Sequence, residues 1–256
     1  KVVNYHLFDK WKFVDKFKNN ATSSDYIKNM MTAVEQQIGL GVAGAMTFVD
    51  IDTVCGFKAI EAAQIVKAEA KSRGFQLKLC SQALKGVIDP SQNKLLRAAL
   101  ELGYLDAIGG LPRADKDYEQ AHLDEILFLG REYNKRVHVH VDQLNNDLER
   151  ETELLARRTI HWGMEGRVTA VHGISIAAHN KDYRKEVYKM SRDAGLSFIT
   201  CPTAWIDSRR TEWLSPTHNA ITPVEEMLAN DLVVAIGTDN IQDVYKPFSD
   251  GNMYTE

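Results

Sequence analysis

The stretch Val137-His138-Val139-His140-Val141-Asp142-Gln143 contains the pattern that decides the fold of this chain. Side chains alternate between the two faces of a β-strand, so its three valines share one face and its two histidines share the other. In a parallel barrel, one face of each strand packs on the surrounding helices and the other lines the interior. We therefore expect the valines to face helices. His138 and His140 should face the interior, with His140 nearer the carboxyl end of the strand.

Two other apolar runs also end at a side chain that can bind a metal. Residues 168–171 are followed by His172, and residues 233–238 are followed by Asp239. The carboxyl ends of barrel strands meet at one mouth, so His140, His172 and Asp239 should lie close together there. Each residue alone has an ordinary structural explanation: a core histidine, a turn histidine or a helix-capping aspartate. Their arrangement on three strands favours a shared cation site.

Apolar runs typical of β-strands recur at intervals of 29 to 36 residues along the chain. Helical patterns lie between them, for example over Phe57–Ser72 and Leu148–His161. Strands that alternate with helices at this spacing are typical of βα units and of a parallel sheet. The predicted strands are Gly44–Val49, Phe75–Ser81, Ala107–Gly110, Val137–Val141, Val168–His172, Ser197–Thr200 and Val233–Thr238.

The strand count favours an α/β barrel over an open sheet. Seven βα units predict a (β/α)8 TIM barrel of the metal-dependent hydrolase type, with seven of its eight strands in this chain. A doubly wound sheet is the alternative, but it usually carries a Gly-rich phosphate turn, and the chain contains no G-x-G-x-x-G. We expect a single barrel domain over residues 1–256 that is truncated at both ends. The chain begins at Lys1 without an initiator methionine, and residues 252–256 resemble the start of a helix.

Composition and charge exclude several classes of function. Of the 256 residues, 44% are hydrophobic and 26% are charged, and the formal net charge is -4. This balance offers no basic surface for nucleic acid, and no apolar stretch approaches the length of a membrane span. The three cysteines are odd in number and far apart, which favours a reducing compartment. We expect a cytoplasmic protein with a small-molecule substrate and no nucleic-acid or membrane partner, and a homo-oligomer is left open.

The residue types at the three strand ends suit metal-assisted hydrolysis. A divalent ion lowers the pKa of a bound water to about 7 and polarises the attacked carbon. A carboxylate beside the ion can take the proton of the water and pass it to a leaving nitrogen, while a neutral imidazole orients the hydroxide. An unpaired carboxylate such as Asp239 after an apolar strand would otherwise be costly to desolvate.

These motifs together resemble the amidohydrolase superfamily. Within it they are most similar to the cytosine deaminase group, which also holds the N-isopropylammelide amidohydrolases. The resemblance includes residues 140–143, His172 and the run that begins at Asp239. It also includes residues 46–50, which are similar to the second strand of that group, and residues 79–82, which are similar to its third.

The resemblance implies roles for individual residues. His140 and Asp239 would be ligands of one divalent metal ion, zinc or iron, and Asp239 would also shuttle protons. His172 would be a catalytic, non-ligating histidine that orients the metal-activated hydroxide. Gln82 would hydrogen-bond a ring amide of a heterocyclic substrate, and Tyr245 would lie over the ring. The implied substrate-binding residues are therefore Gln82, Gln143, Asn240 and Tyr245.

Two departures from the group's pattern bear on function. The family's His-x-His metal motif ends its first strand, which would lie before Lys1, and His138-x-His140 comes too late in the chain to be that motif. Gln143 stands where cytosine deaminase has a glutamate that protonates the ring, and Asn240 replaces an acidic neighbour of the metal aspartate. Since glutamine cannot supply a proton, cytosine itself is disfavoured as the substrate.

The sequence thus predicts a metal-dependent hydrolase of C–N bonds in a nitrogen heterocycle or a cyclic amide or amine, as a deaminase or an amidohydrolase. The alternative is a catalytically incompetent fragment or a non-catalytic barrel that binds a small molecule. The missing His-x-His together with Gln143 and Asn240 motivates that alternative. A dinucleotide-binding oxidoreductase is disfavoured because the phosphate turn is missing.

Overall fold

A computed structural model describes residues 7–205, 220–241, 243, 245, 246 and 249–256. Within these residues, seven parallel strands pair in the order in which they occur along the chain. The strands are β1 Gly44–Asp50, β2 Gln76–Gln82, β3 Ala107–Gly110, β4 Arg136–Val141, β5 Val168–His172, β6 Ser197–Thr200 and β7 Val233–Ile236. A doubly wound sheet would have a strand order that reverses part-way, so the consecutive order confirms the predicted barrel class.

Helices precede the first strand and connect the later ones. They are α1 Leu7–Asn20, α2 Ser23–Gly39, α3 Lys58–Ser72, α4 Pro90–Glu101, α5 Glu119–Glu132, α6 Glu151–His161, α7 Lys181–Asp193, α8 Pro202–Trp205 and α9 Val224–Ala229. None of the helices in the described ranges combines the length and the hydropathy needed to cross a bilayer. The last residues, 253–255, form a turn instead of the helix start that the sequence suggested.

The apolar core lies between the sheet and its helices, and β4 shows how the sequence specifies it. Val137, Val139 and Val141 are fully buried in one cluster with Ile126 and Leu129 of α5. This confirms that the valines face helices. Burial of each valine contributes about 1.5–3 kcal/mol, so a shift of β4 by one residue would be strongly unfavourable.

Most predicted bounds agree with the structure to within one residue, and two elements differ by more. β7 ends at Ile236, two residues before the predicted Thr238. Helix α6 begins at Glu151 and not at Leu148, because the side chain of Asp142 accepts the backbone N–H groups of Glu151 (2.8 Å) and Thr152 (3.1 Å). The aspartate that follows β4 therefore caps the helix after it.

The first two helices are tied to the last described segment. Lys10 Nζ of α1 donates to the backbone oxygen of Tyr245 (2.8 Å), and Gln37 Nε2 of α2 donates to that of Gly251 (2.8 Å). Tyr254 Oη also donates to the backbone oxygen of Leu40 (3.1 Å). These contacts join the β1 side of the sheet to the segment that follows β7, although β1 and β7 themselves do not pair within the described residues.

His122 of α5 fixes the loops that follow β2 and β3. Its Nε2 accepts the backbone N–H of Leu111 (2.9 Å), so its Nδ1 carries the proton and donates to Asp115 Oδ2 (2.7 Å). The same carboxylate oxygen accepts the backbone N–H of Val87 (2.7 Å). Burial lowers the pKa of His122 and Asp115 opposes this, so the side chain is a neutral, fully hydrogen-bonded connector.

We expect His122→Ala to lower the free energy of unfolding by about 3 kcal/mol, because it leaves a cavity and an unpaired N–H of Leu111 and removes one donor from the Asp115 carboxylate. Chemical denaturation followed by circular dichroism measures this change. His161→Ala, which truncates an exposed histidine, is the matched control and should have little effect. A loss below about 1 kcal/mol at His122 would contradict the structural role.

Candidate metal centre

Three strand ends bring His140, His172 and Asp239 together. Ligand-capable atoms of the three side chains all lie within 4.8 Å of one another. Pairing of β4 with β5 sets His140 opposite Val171 and Val141 opposite His172, so the two histidines lie one residue apart in register. Asp239 follows the end of β7 by three residues. Two ligands bonded at about 2.2 Å to one ion are at most about 4.4 Å apart, so the three groups lie close to the separations that a shared ion requires.

Unusual backbone conformations aim the side chains at these strand ends. His172 has φ 78°, Asp239 has φ 57° and Asp142 has φ 52°, all in the left-handed region. Each such residue costs on the order of 1–3 kcal/mol and persists only where the surrounding structure stabilises it. One stabilising contact is the hydrogen bond from Thr222 Oγ1 to the backbone oxygen of His172 (2.6 Å). Strain of this kind concentrates at functional sites.

Aromatic packing holds the imidazole rings. The ring centroids of Phe48 and His140 are 4.4 Å apart, and those of His140 and His172 are 5.2 Å apart. Phe48 comes from β1, so it packs on His140 from another strand of the sheet. These contacts restrict rotation of His140 and so preorganise the site.

Burial keeps both imidazoles neutral. It lowers the pKa of His140 to about 4, which a hydrogen bond from the ring to the backbone of Gly110 partly opposes. Burial also lowers the pKa of His172 well below its usual range, with further contributions from His140 and the cation of Lys246. Neutral imidazole binds metals and accepts hydrogen bonds, so at neutral pH His140 is ready for ligation and His172 can accept a hydrogen bond from water.

The pKa of Asp239 is raised, in contrast to the lowered pKa values of the two histidines. Desolvation by surrounding protein atoms raises its pKa to about 7, the charge of Asp243 adds to the rise, and Lys246 opposes it. Asp239 nevertheless retains an exposed surface. Solvent at that surface limits the rise. A carboxylate with a raised pKa is suited to exchange protons near neutral pH.

The donor set fits a divalent metal ion. The Nδ1 atom of His140 is buried and has no hydrogen-bond partner among the described residues, which is costly for a polar atom unless a ligand occupies it. Imidazole and carboxylate groups match the ligand preferences of zinc and iron. His140 and Asp239 are therefore well placed to bind such an ion, with His172 beside it.

The four predicted substrate-binding residues have different surroundings. Gln143 is buried, and Gln82 is half-buried at the end of β2 with Oε1 accepting the N–H of Ala83 (3.2 Å). Asn240 instead donates through Nδ2 to Asp243 Oδ2 (2.7 Å), so its amide is used within its own loop. The hydroxyl of Tyr245 is buried without a partner among the described residues.

Sequence reasoning missed several residues around the centre. Phe48 packs on His140, Thr222 holds the backbone at His172, and Lys246 is a buried cation near both His172 and Asp239. Phe48 lies in a predicted strand, but alternation along a strand does not show which residue of another strand it contacts, and Thr222 lies outside the predicted strands and helices. The one available signal for Lys246 was a lysine shortly after the predicted metal aspartate.

Comparison with known proteins identifies the family. Residues 13–254 match the Amidohydrolase family. The chain belongs to this family. It is 43% identical over 234 residues to a Haemophilus influenzae protein described as uncharacterized, with 89% of this chain and 84% of that protein covered. It is 27% identical over 240 residues to the N-isopropylammelide isopropyl amidohydrolase of Pseudomonas sp., with 93% of this chain and 56% of that protein covered.

A solved structure shows the same fold. The 5-methylcytosine deaminase of Klebsiella pneumoniae, liganded with 5-fluorocytosine, superposes with a TM-score of 0.88 at 25% identity. The match covers 97% of this chain and 59% of that one. These similarities confirm the predicted superfamily, its cytosine deaminase-like group and the TIM-barrel fold class. The chain spans little more than half the length of these two functionally named relatives.

The buried, neutral His140 predicts how stability depends on pH. Its pKa is about 4 in the folded protein and about 6.5 unfolded, so acid favours the unfolded state as the pH falls through this window. Without added metal, His140→Gln should reduce the loss of unfolding free energy between pH 7 and pH 5 by about 2 kcal/mol relative to the wild type. Urea titrations at both pH values measure the difference, and His161→Gln is the exposed control. Parallel pH profiles for wild type and His140→Gln would contradict the assignment.

Proposed function

We propose that this protein hydrolyses a C–N bond in a nitrogen heterocycle or in a related cyclic amide or amine, as a deaminase or an amidohydrolase. The observation that carries the proposal is the convergence of His140, His172 and Asp239 within 4.8 Å at the mouth of a parallel barrel. Membership of the Amidohydrolase family and the similarity to a 5-methylcytosine deaminase and an N-isopropylammelide amidohydrolase support it.

In this proposal His140 and Asp239 hold a divalent ion, zinc or iron. When bound, the ion supplies positive charge that acidifies water and polarises the attacked carbon. His172 is neutral because of its burial, and it orients the attacking water through its imidazole. Asp239 accepts the proton of that water at a carboxylate oxygen and transfers it to the leaving nitrogen. The raised pKa of Asp239 suits both the acceptance of the proton from water and its donation to the leaving nitrogen.

The remaining residues position the heterocycle. Gln82 at the end of β2 presents an amide that can pair with a ring amide, and Tyr245 offers an aromatic ring to cover the substrate. Gln143, buried beside the end of β4, can donate or accept a hydrogen bond but cannot protonate a ring nitrogen. Asn240 shapes the loop that carries Tyr245, because both residues hydrogen-bond Asp243. This set favours a small, neutral heterocycle that needs no protonation by residue 143.

An activity assay tests this function. The full-length protein, loaded with zinc or iron(II), is assayed for turnover of a panel of pyrimidines, triazines and small lactams. We expect hydrolysis of at least one compound, and Asp239→Asn should lower kcat/KM by about 10²–10⁴-fold because the proton acceptor is lost. Asp182→Asn, which removes an exposed carboxylate outside the centre, is the matched control.

A zinc titration by calorimetry provides a readout without substrate. His140→Ala and Asp239→Asn should each weaken zinc binding relative to wild type and to Asp182→Asn. The absence of turnover on the whole panel, together with zinc binding that is unaffected by both substitutions, would overturn the proposed function.

Residue 143 should control the preference for cytosine. We expect Gln143→Glu to raise the rate of cytosine deamination by about 10²-fold relative to the wild type, because a general acid would then be available to the ring nitrogen. Release of ammonia measures the rate. Gln92→Glu, at a glutamine whose side chain instead hydrogen-bonds Thr53, is the control for an added carboxylate. An unchanged cytosine rate in Gln143→Glu would contradict the role given to this position.

A further inference from the structure

A second cluster of charged residues lies at the carboxyl end of β1, outside the metal centre. Lys18 Nζ of α1 is 2.7 Å from Asp50 Oδ2 and 2.7 Å from Asp52 Oδ2. The side chains of Lys18 and Asp52 are each 2% exposed, whereas that of Asp50 is 21% exposed. Burial alone would lower the pKa of Lys18, but the charges of the two aspartates raise it, so the lysine stays protonated. Burial raises the pKa of Asp50, and the contact with Lys18 opposes this rise, whereas the pKa of Asp52 is lowered. The two contacts of 2.7 Å with a protonated lysine favour ionised carboxylates, which give the cluster a formal charge of one negative unit.

The two aspartates differ in the use of their oxygens. Asp52 Oδ1 accepts the backbone N–H groups of Val54 (2.9 Å) and Cys55 (3.0 Å), while its Oδ2 accepts Lys18. Every oxygen of the Asp52 carboxylate is thus occupied within the protein. Asp50 uses Oδ2 for Lys18, and the described residues give its Oδ1 no hydrogen bond. An acceptor therefore remains available on the more exposed carboxylate.

Asp50 is the last residue of β1, so it lies at the mouth of the barrel. Asp50 is two residues after Phe48, so it shares the strand face from which Phe48 packs on His140. Its register partner in β2 is Gln82. Burial raises the pKa of Tyr245, and the negative charge of Asp50 raises it further. Asp50 thus lies among the residues that the proposed function assigns to the substrate.

We propose that Asp50 is a specificity-determining residue whose carboxylate accepts a hydrogen bond from an N–H group of a neutral or cationic heterocycle and disfavours anionic ones. Lys18 is its positioning residue, because the lysine fixes Oδ2 and leaves Oδ1 without a hydrogen bond from the described residues. This inference rests on the proposed function, since it requires the heterocycle to bind between the metal centre and Gln82.

Binding of two matched probes tests the inference. Uracil is neutral, and orotate is the same ring with a carboxylate, so the ratio of their dissociation constants reports discrimination by charge. Calorimetric titration of the full-length protein with zinc should show weaker binding of orotate than of uracil. Asp50→Asn should shift the ratio about tenfold in favour of orotate, because it removes a negative charge close to the ligand. Asp50→Glu should retain the discrimination.

Asp52→Asn is the matched control, because it removes a carboxylate from the same lysine without changing an acceptor at the mouth. For Asp52→Asn, the ratio of the two dissociation constants should stay within about twofold of the wild-type ratio. A ratio unchanged in Asp50→Asn, or shifted equally in Asp52→Asn, would overturn the role of Asp50 while leaving the proposed function intact. Failure of the wild type to bind either probe would count against the proposed substrate site, and the role of Asp50 would fall with it.

Thermal unfolding of each variant checks that the fold is retained. If Asp50→Asn does not fold, Gln82→Glu is the reverse test, since it adds a carboxylate at the register partner of Asp50. That substitution should shift the ratio further against orotate, and an unchanged ratio would overturn the inference.

Discussion

The parallel pairing of the strands in chain order is the constraint on which the candidate site depends. Because each helical connection returns the chain to the same edge of the sheet, the carboxyl ends of β4, β5 and β7 all lie at that edge. His140, His172 and Asp239, which are 32 and 67 residues apart in succession, therefore meet. The apolar faces of the strands stabilise this arrangement, and the polar groups at their ends carry the chemistry.

Burial of these three side chains sets their protonation states. The imidazoles of His140 and His172 remain neutral because burial disfavours their charged forms, and Asp239 holds its proton more tightly for the same reason. Strained backbone at His172 and Asp239 fixes the direction of the side chains. The energy for these unfavourable features comes from the packed core behind the strands. A bound cation would satisfy the buried nitrogen of His140 and favour the ionised form of Asp239.

The mouth of the barrel has a charge pattern that extends beyond the metal centre. Lys18 is buried against two aspartates on the β1 side, and Lys246 is buried near Asp239 on the β7 side. Isolated buried charges are costly, so each lysine needs its carboxylate neighbours. Helix α1 contributes both Lys18 and the contact of Lys10 with the segment after β7. The same helix therefore supports the rim and balances its charge.

The sequence by itself determined the strands, the parallel fold class and the three residues at the candidate metal centre. These features follow from local patterns: alternation along β4, apolar runs at regular spacing, and a polar residue after each run. The tertiary structure alone decided that Asp142 caps α6, that Asn240 pairs with Asp243, and that Lys18 holds Asp50 next to Gln82. Such contacts depend on which side chains packing brings within hydrogen-bond distance. A one-dimensional pattern does not encode that distance, because it is set jointly by strand register, helix docking and burial.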